Sequence, residues 1–316
     1  MLKSNILCIV GPTASGKTTL ALLVAKKINS EIISTDSRQV YHHLNIGTAK
    51  PTAKELEQVP HHFISFVDLN KEYNAGEFGL QARSKIQDIL NRHKCPILVG
   101  GSGLYLRAVI DGLFNGPGKN EEVRRKLEEE RLKYGASYLY DKLMNVDQLS
   151  AKKMDETKVR LVIRALEVYY TTGKPLSELH KNQKTETLFN FKQFGLAWER
   201  QILYQRIEQR VEKMIELGLI QEVQKFKEQG YNSSINALNT VGYKEVLNYL
   251  DGLITKETMI DLIKKNTRNF AKRQMTWFRA DKRIRWIQVY EKTDWNDIAE
   301  QVVTEFQRSE HIPKPN

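Results

Sequence analysis

The stretch Gly11-Pro12-Thr13-Ala14-Ser15-Gly16-Lys17-Thr18 constrains this chain more than any other. Before it runs Ile6–Val10, an apolar segment of strand length, and after it Thr19–Ala25, which reads as a helix. Strand, glycine-rich loop and helix in that order are the context of a P-loop. Glycines let the loop turn so that successive N–H groups converge on phosphate oxygens. The helix N-terminus adds free donors and a partial positive charge. Lys17 brings a point charge to the phosphates, and the Thr18 hydroxyl suits Mg²⁺. Gly11 to Thr18 are therefore expected to hold a di- or triphosphate, on an α/β fold whose parallel sheet is flanked by helices.

At 316 residues, 41% of them hydrophobic, the chain can bury a large core, and its length suggests two units. The net charge of +11 favours a polyanionic partner such as nucleic acid. Both cysteines, Cys8 and Cys95, sit in apolar strand-like runs, so buried free thiols are expected rather than a disulfide or zinc site. Met1-Leu2-Lys3 runs straight into the first strand with no room for a signal peptide, and no apolar run reaches membrane-spanning length. A cytosolic protein with no membrane partner is expected.

Further along, Glu31–Asp36 reads as a short strand ending in a carboxylate. Ligands of open α/β sheets sit beyond the carboxyl ends of the strands, so Asp36 should lie near the phosphates. There it would serve as a general base, as an indirect Mg²⁺ ligand, or simply as a helix cap. His61 and His62 read as structural. A helical pattern over 76–93 leads into Cys95–Val99, a buried parallel strand, and then Gly100-Gly101-Ser102-Gly103. A motor ATPase would end that strand on an aspartate. Glycines there argue against ATP hydrolysis and suggest a substrate chain running close to the backbone.

From 116 to 186 the pattern is helical, with helices over Glu121–Tyr134 and Lys158–Thr171, the latter ended by Gly173 and Pro175. The predicted organisation is a core formed by 1–115 and 187–316, interrupted by an inserted all-helical domain, 116–186, acting as a lid. A strand is expected over Phe189–Ala197. The helix after it carries Arg206 and Arg210 on one face, either solvated or clamping phosphate. The long helix expected over 256–281 interleaves Arg268, Lys272, Arg273 and Arg279 with Phe270, Trp277 and Phe278. That mixture suits single-stranded nucleic acid, although Phe270 and Phe278 read equally well as core. A strand over Ile284–Val289, a helix over about 294–308 and a frayed tail complete the expected chain.

Taken together, these segments resemble one family, the bacterial tRNA dimethylallyltransferases. The resemblance rests on Gly11–Thr18, Asp36-Ser37-Arg38-Gln39-Val40-Tyr41, Gly47–Pro51, Val99–Tyr105, Arg164–Val168, Val241-Gly242-Tyr243-Lys244-Glu245 and Ala271–Arg279, in family order over nearly the whole chain. It implies that the P-loop holds dimethylallyl diphosphate rather than a nucleotide, with Arg210, Lys17 and Mg²⁺ on the leaving diphosphate. It implies that Asp36 is the general base toward an adenine amine, with Ser102 as a second catalytic residue. Ser37, Arg38 and Gln39 would lie beside the substrate base. The tRNA anticodon loop would further meet Arg124, Arg160, Arg164, Val241, Gly242, Tyr243, Lys244, Lys272, Arg273, Gln274, Trp277 and Arg279. The enzyme is expected to act as a monomer. The sequence departs from the family at Ser102, where threonine is usual, and at Lys158 and Leu161, where asparagine and arginine are common. A P-loop with Asp36 and a lid would also serve a small-molecule kinase, and a non-catalytic RNA-binding protein would explain the charge.

Overall fold

The computed structural model describes residues 3–113, 116–181 and 188–308. Among them the chain divides into two compact units, Met1–Asp111 with Thr187–Asn316, and Gly112–Glu186.

The larger unit is built on a six-stranded parallel sheet in the order β3-β2-β4-β1-β5-β6. Its strands are β1 (Ser4–Val10), β2 (Ser30–Ser34), β3 (His61–His62), β4 (Cys95–Gly100), β5 (Phe189–Trp198) and β6 (Ile284–Val289). Ile6 to Val10 are wholly buried, so both faces of β1 are covered and the strand is apolar throughout, as a central parallel strand must be. At the edge, β6 instead mixes buried Ile284, Ile287 and Val289 with exposed Arg285 and Gln288. Helix α1 (Lys17–Lys27) and the last helix, α14 (Trp295–Arg308), pack one layer on the sheet through Leu20, Val24, Val302 and Phe306. Helices α3 (Ala75–Asn91) and α4 (Gly103–Ile110) also belong to this unit. Asn74 caps α3 by accepting from the N–H groups of Gly76 and Glu77, a contact worth about 1 kcal/mol.

The register decides what meets at the carboxyl ends. Val10 pairs with Gly100, and Ser34 with Val99. The P-loop, the turn at 35–39 and the turn at Gly100–Gly103 therefore leave the sheet side by side. Asp36 lies just past the end of β2, in a turn rather than a helix. His62 pairs with buried Glu31 at 2.8 Å, and His61 meets the Val59 carbonyl. Cys8 is a buried free thiol, whereas Cys95, expected to be buried, is only half-buried at the start of β4.

The smaller unit contains α5 (Glu121–Tyr134), α6 (Ala136–Val146), α7 (Gln148–Ala151), α8 (Val159–Thr172) and α9 (Leu176–Lys181). Leu127, Leu139, Leu143, Val162 and Leu166 form its own core. Beside them Glu167 is completely buried, accepting from Arg124 at 2.8 and 3.0 Å, from Arg164 at 2.7 Å and from the Asn120 N–H at 2.7 Å. Burial works to raise the Glu167 pKa, and these donors outweigh it, holding the carboxyl below its usual range. No described helix of the chain is long and apolar enough to cross a membrane.

Candidate active site

The three turns enclose a cavity of about 550 Å³. Thr13, Lys17 and Thr18 come to it from the P-loop, Asp36 to Gln39 from the turn after β2, and Ser102 from the turn after β4. Helix α10 (Arg200–Glu216) adds Arg210 and Met214. Helix α13 (Lys256–Ala280) adds Ile263, Thr267, Phe270, Gln274 and Trp277. Those five positions are spaced by four, three, four and three residues, so one face of α13 lines the cavity along most of its length. Met214 and Ile263 were not singled out in the sequence, whereas Phe270 was read there as either an RNA contact or core; the regular spacing along α13 puts Ile263 on the same face as Phe270 and Trp277. Met214, Ile263 and Phe270 add apolar surface to the cavity that the glycine-rich loop also lines.

The loop itself is held from several directions. Arg206 donates to the Ala14 carbonyl at 3.0 Å while its guanidinium lies 4.3 Å from the Trp198 ring centroid. Trp198 donates to the Ser15 carbonyl at 3.0 Å. Arg206 thus holds the loop in place. The Lys17 ammonium donates to the loop's own Pro12 carbonyl at 2.6 Å. Burial, reinforced by the nearby charge of Arg210 and opposed by Asp36, brings its pKa down to about 7. Burial also lowers the Arg210 pKa, with Asp36 again opposing. Lys17, Thr18 and Arg210 line a second cavity of about 360 Å³ as well. Among the described residues neither cation forms an ion pair. The site therefore sets two basic side chains without an ion-pair partner next to a glycine-rich loop, with Asp36 the carboxylate that acts on both.

Asp36 is held by its own turn: its Oδ1 accepts from the N–H groups of Arg38 (2.8 Å) and Gln39 (3.3 Å). No hydrogen bond is found for Oδ2 among the described residues. Ser102 sits beside it: its hydroxyl accepts from the Ser37 N–H at 3.0 Å and donates to the Ser37 hydroxyl at 3.2 Å. Those two bonds orient the side chain without the methyl group that threonine would supply.

The profile of a family described as IPP transferase matches residues 39–281. The chain is 42% identical over 301 residues to a tRNA dimethylallyltransferase of Pelotomaculum thermopropionicum, covering 95% of this chain and 96% of that one. It is 45% identical over 306 residues to the enzyme of the same name from Carboxydothermus hydrogenoformans, covering 96% and 98%. This chain belongs to the IPP transferase family. Among solved structures, the tRNA isopentenylpyrophosphate transferase of Bacillus halodurans superposes with a TM-score of 0.71 at 38% identity, over 98% of this chain and all of that one. A eukaryotic dimethylallyltransferase acting on tRNA superposes with a TM-score of 0.82 at 30% identity, over 99% of this chain and 81% of that one.

Against the residues that the family resemblance assigned to RNA, the structure divides the set. Trp277 is 43% exposed and Phe270 38%, both at the cavity, while Phe278 is core at 1%. Lys244, Lys272, Arg273 and Arg279 are exposed, and Arg160 is exposed in the smaller unit. Tyr243 does not fit an RNA surface. It is fully buried, donating to Glu222 and accepting from the Gly47 N–H at 3.2 Å, so it ties the Gly47 turn to α11 (Leu219–Glu228). Gly242 is buried with it, whereas Val241 lines the cavity. Gln274 is buried as well, with both ends of its amide bonded to backbone. The Gln39 amide is engaged by Ser34, Thr48 and Ala49. Arg38 donates to the Asn236 carbonyl at 2.9 Å. Arg124 and Arg164 both ion-pair with Glu167 and remain about one-third exposed.

The turn after β4 also differs from expectation. Its glycines were read as room for a substrate chain, but at Gly103 a Cβ would fall 2.1 Å from Trp277, which packs directly on that backbone. The chain's own α13 fills the space.

Proposed function

We propose that this protein transfers the dimethylallyl group of dimethylallyl diphosphate to the N6 amine of the adenosine 3′-adjacent to the anticodon of tRNA. The products are N6-isopentenyladenosine and diphosphate. The observation that carries the reading is the juxtaposition, in one cavity, of a P-loop with Lys17 and Arg210, the Asp36 carboxylate and an apolar wall. Phosphate cradle, base and apolar wall are the parts needed to bind an allylic diphosphate beside an amine.

The adenine amine is a weak nucleophile because its lone pair is delocalised into the ring. As N6 bonds to the allylic carbon, the C–O bond to diphosphate breaks, and its electron pair leaves with the diphosphate. Asp36 takes the proton that N6 loses. Lys17, Arg210 and the loop N–H groups stabilise the charge growing on the leaving group. Met214, Ile263 and Phe270 offer the five-carbon chain an apolar surface. Because the adenine must leave its stack to reach Asp36, an unpaired loop is the least costly RNA context.

Mg²⁺ fits this reading. Thr18 offers a hard oxygen donor at the cavity, and the described residues hold no cluster of three His, Cys, Asp or Glu that would compete. Thr18 and the diphosphate oxygens would hold the ion, which when bound helps neutralise the departing diphosphate. The protein would act as a monomer in the cytoplasm, where tRNA is available.

The test combines purified protein, dimethylallyl diphosphate, Mg²⁺ and unmodified tRNA without ATP, followed by mass analysis of the digested nucleosides. An adenosine heavier by one isopentenyl unit is expected. An absolute ATP requirement, or no product with any unmodified tRNA, would overturn the assignment.

A further inference from the structure

The resemblance places Gln274 on the RNA surface, but its geometry points elsewhere. It projects from α13 and is 7% exposed. Its Oε1 accepts from the Thr13 N–H at 2.8 Å, and its Nε2 donates to the Gly101 carbonyl at 2.9 Å. One side chain therefore joins the P-loop to the turn after β4, across 261 and 173 residues of sequence. At Gly101 the fit is close, since a Cβ would lie 2.3 Å from Nε2 and would have to displace the amide.

We infer that Gln274 is a positioning residue for the diphosphate donor: its amide clamps the Thr13 end of the P-loop to the Gly101 turn and makes no contact with RNA. The inference rests on the donor assignment proposed above. Two physical points support it. A buried primary amide is costly unless both of its ends are satisfied, and here backbone groups of the two loops satisfy them, leaving it little reason to turn toward solvent. The Thr13 N–H is consumed by this bond, so the phosphate-facing donors of the cradle begin beyond Thr13, and their aim depends on where Thr13 is held. On the same face, Trp277 packs on Gly103 one turn later, giving α13 a second hold on that turn.

Two substitutions break the clamp from opposite sides. Gln274→Met keeps the side-chain volume and removes both hydrogen bonds. Gly101→Ala leaves α13 unchanged and drives the amide off its carbonyl. Each should raise the KM for dimethylallyl diphosphate by roughly tenfold, the equivalent of one to two lost hydrogen bonds. Each should leave tRNA affinity within about twofold of wild type, as expected for a group away from the RNA. Hydrogen exchange at 11–16 and 100–103 should quicken in both variants, a readout independent of turnover. A wild-type protein without prenyl transfer would remove the donor assignment, while the exchange data would still judge the clamp. Unchanged exchange in both loops would overturn the inference. So would tRNA binding weakened tenfold or more in Gln274→Met at an unchanged donor KM, because that pattern belongs to an RNA contact.

Discussion

Two sets of buried or half-buried cations stand in different situations in this molecule. In the smaller unit, Arg124 and Arg164 both bond the fully buried Glu167, so each cation has a carboxylate partner within the protein. At the cavity of the larger unit, Lys17 and Arg210 have no ion-pair partner among the described residues, and burial depresses both of their pKa values. A cation satisfied by a buried carboxylate contributes to the fold. One left unsatisfied beside a glycine-rich loop costs the free protein stability and is compensated when an anion arrives. Residue type alone does not separate the two cases; the partner does.

The comparison can be broken most severely at Asp36, the acidic member of the cavity. Asp36→Asn keeps the oxygen that accepts from Arg38 and Gln39, so the turn should persist while kcat falls by on the order of 10²–10⁴. A variant within a few-fold of wild type, under conditions where chemistry limits the rate, would remove Asp36 as the base. Lys17→Met should lower kcat/KM by on the order of 10²–10³ without lowering the melting temperature of the free protein. Glu167→Gln should do the reverse. Its arginines are about one-third exposed and can partly rehydrate, so a stability loss of about 2–3 kcal/mol is expected in denaturant unfolding, at nearly unchanged donor KM. The Glu167 pKa is lowered on folding, so this difference between wild type and variant should be full above pH 4.5 and shrink as the pH falls below it. The smallest effect belongs to the exposed cations of α13. Lys272→Gln should weaken all substrate tRNAs alike and make the log–log salt dependence shallower by roughly 0.7–0.9 if one phosphate contact is lost.

Much of this was legible in the chain before its fold. The P-loop, the strand ending near Asp36 and the basic helix could be read because each is local: a strand, a turn and a helix in consecutive residues. The sheet order and the pairing of Val10 with Gly100 were not legible, because they depend on contacts between distant segments. The same limit explains the misread residues. Tyr243 and Gln274 look like surface polar residues in sequence, and only the approach of Glu222, Gly47, Thr13 and Gly101 buries them. The shared partner of Arg124 and Arg164 was hidden for the same reason, since Glu167 is 43 residues from the first of them in sequence. Met214 and Ile263 were passed over because an amphipathic face gives no indication of what it will line.

The central claim, that the cavity keeps Lys17 uncompensated for a diphosphate, is tested most directly by the protons that binding consumes. Folding lowers the Lys17 pKa from 10.5 to about 7, so the free protein loses stability as the pH falls from about 10.5 toward 7. A bound diphosphate favours the charged ammonium and should return the pKa toward its ordinary value. Calorimetric titration with pyrophosphate at pH 8, in buffers of different ionisation enthalpy, measures the proton uptake. Lys17→Arg, which stays charged, provides the reference that cancels the ligand's own titration. The account predicts that wild type takes up close to one proton more than Lys17→Arg at pH 8, with the difference vanishing below about pH 6. Equal uptake by the two proteins at pH 8, with pyrophosphate bound to both, would contradict it.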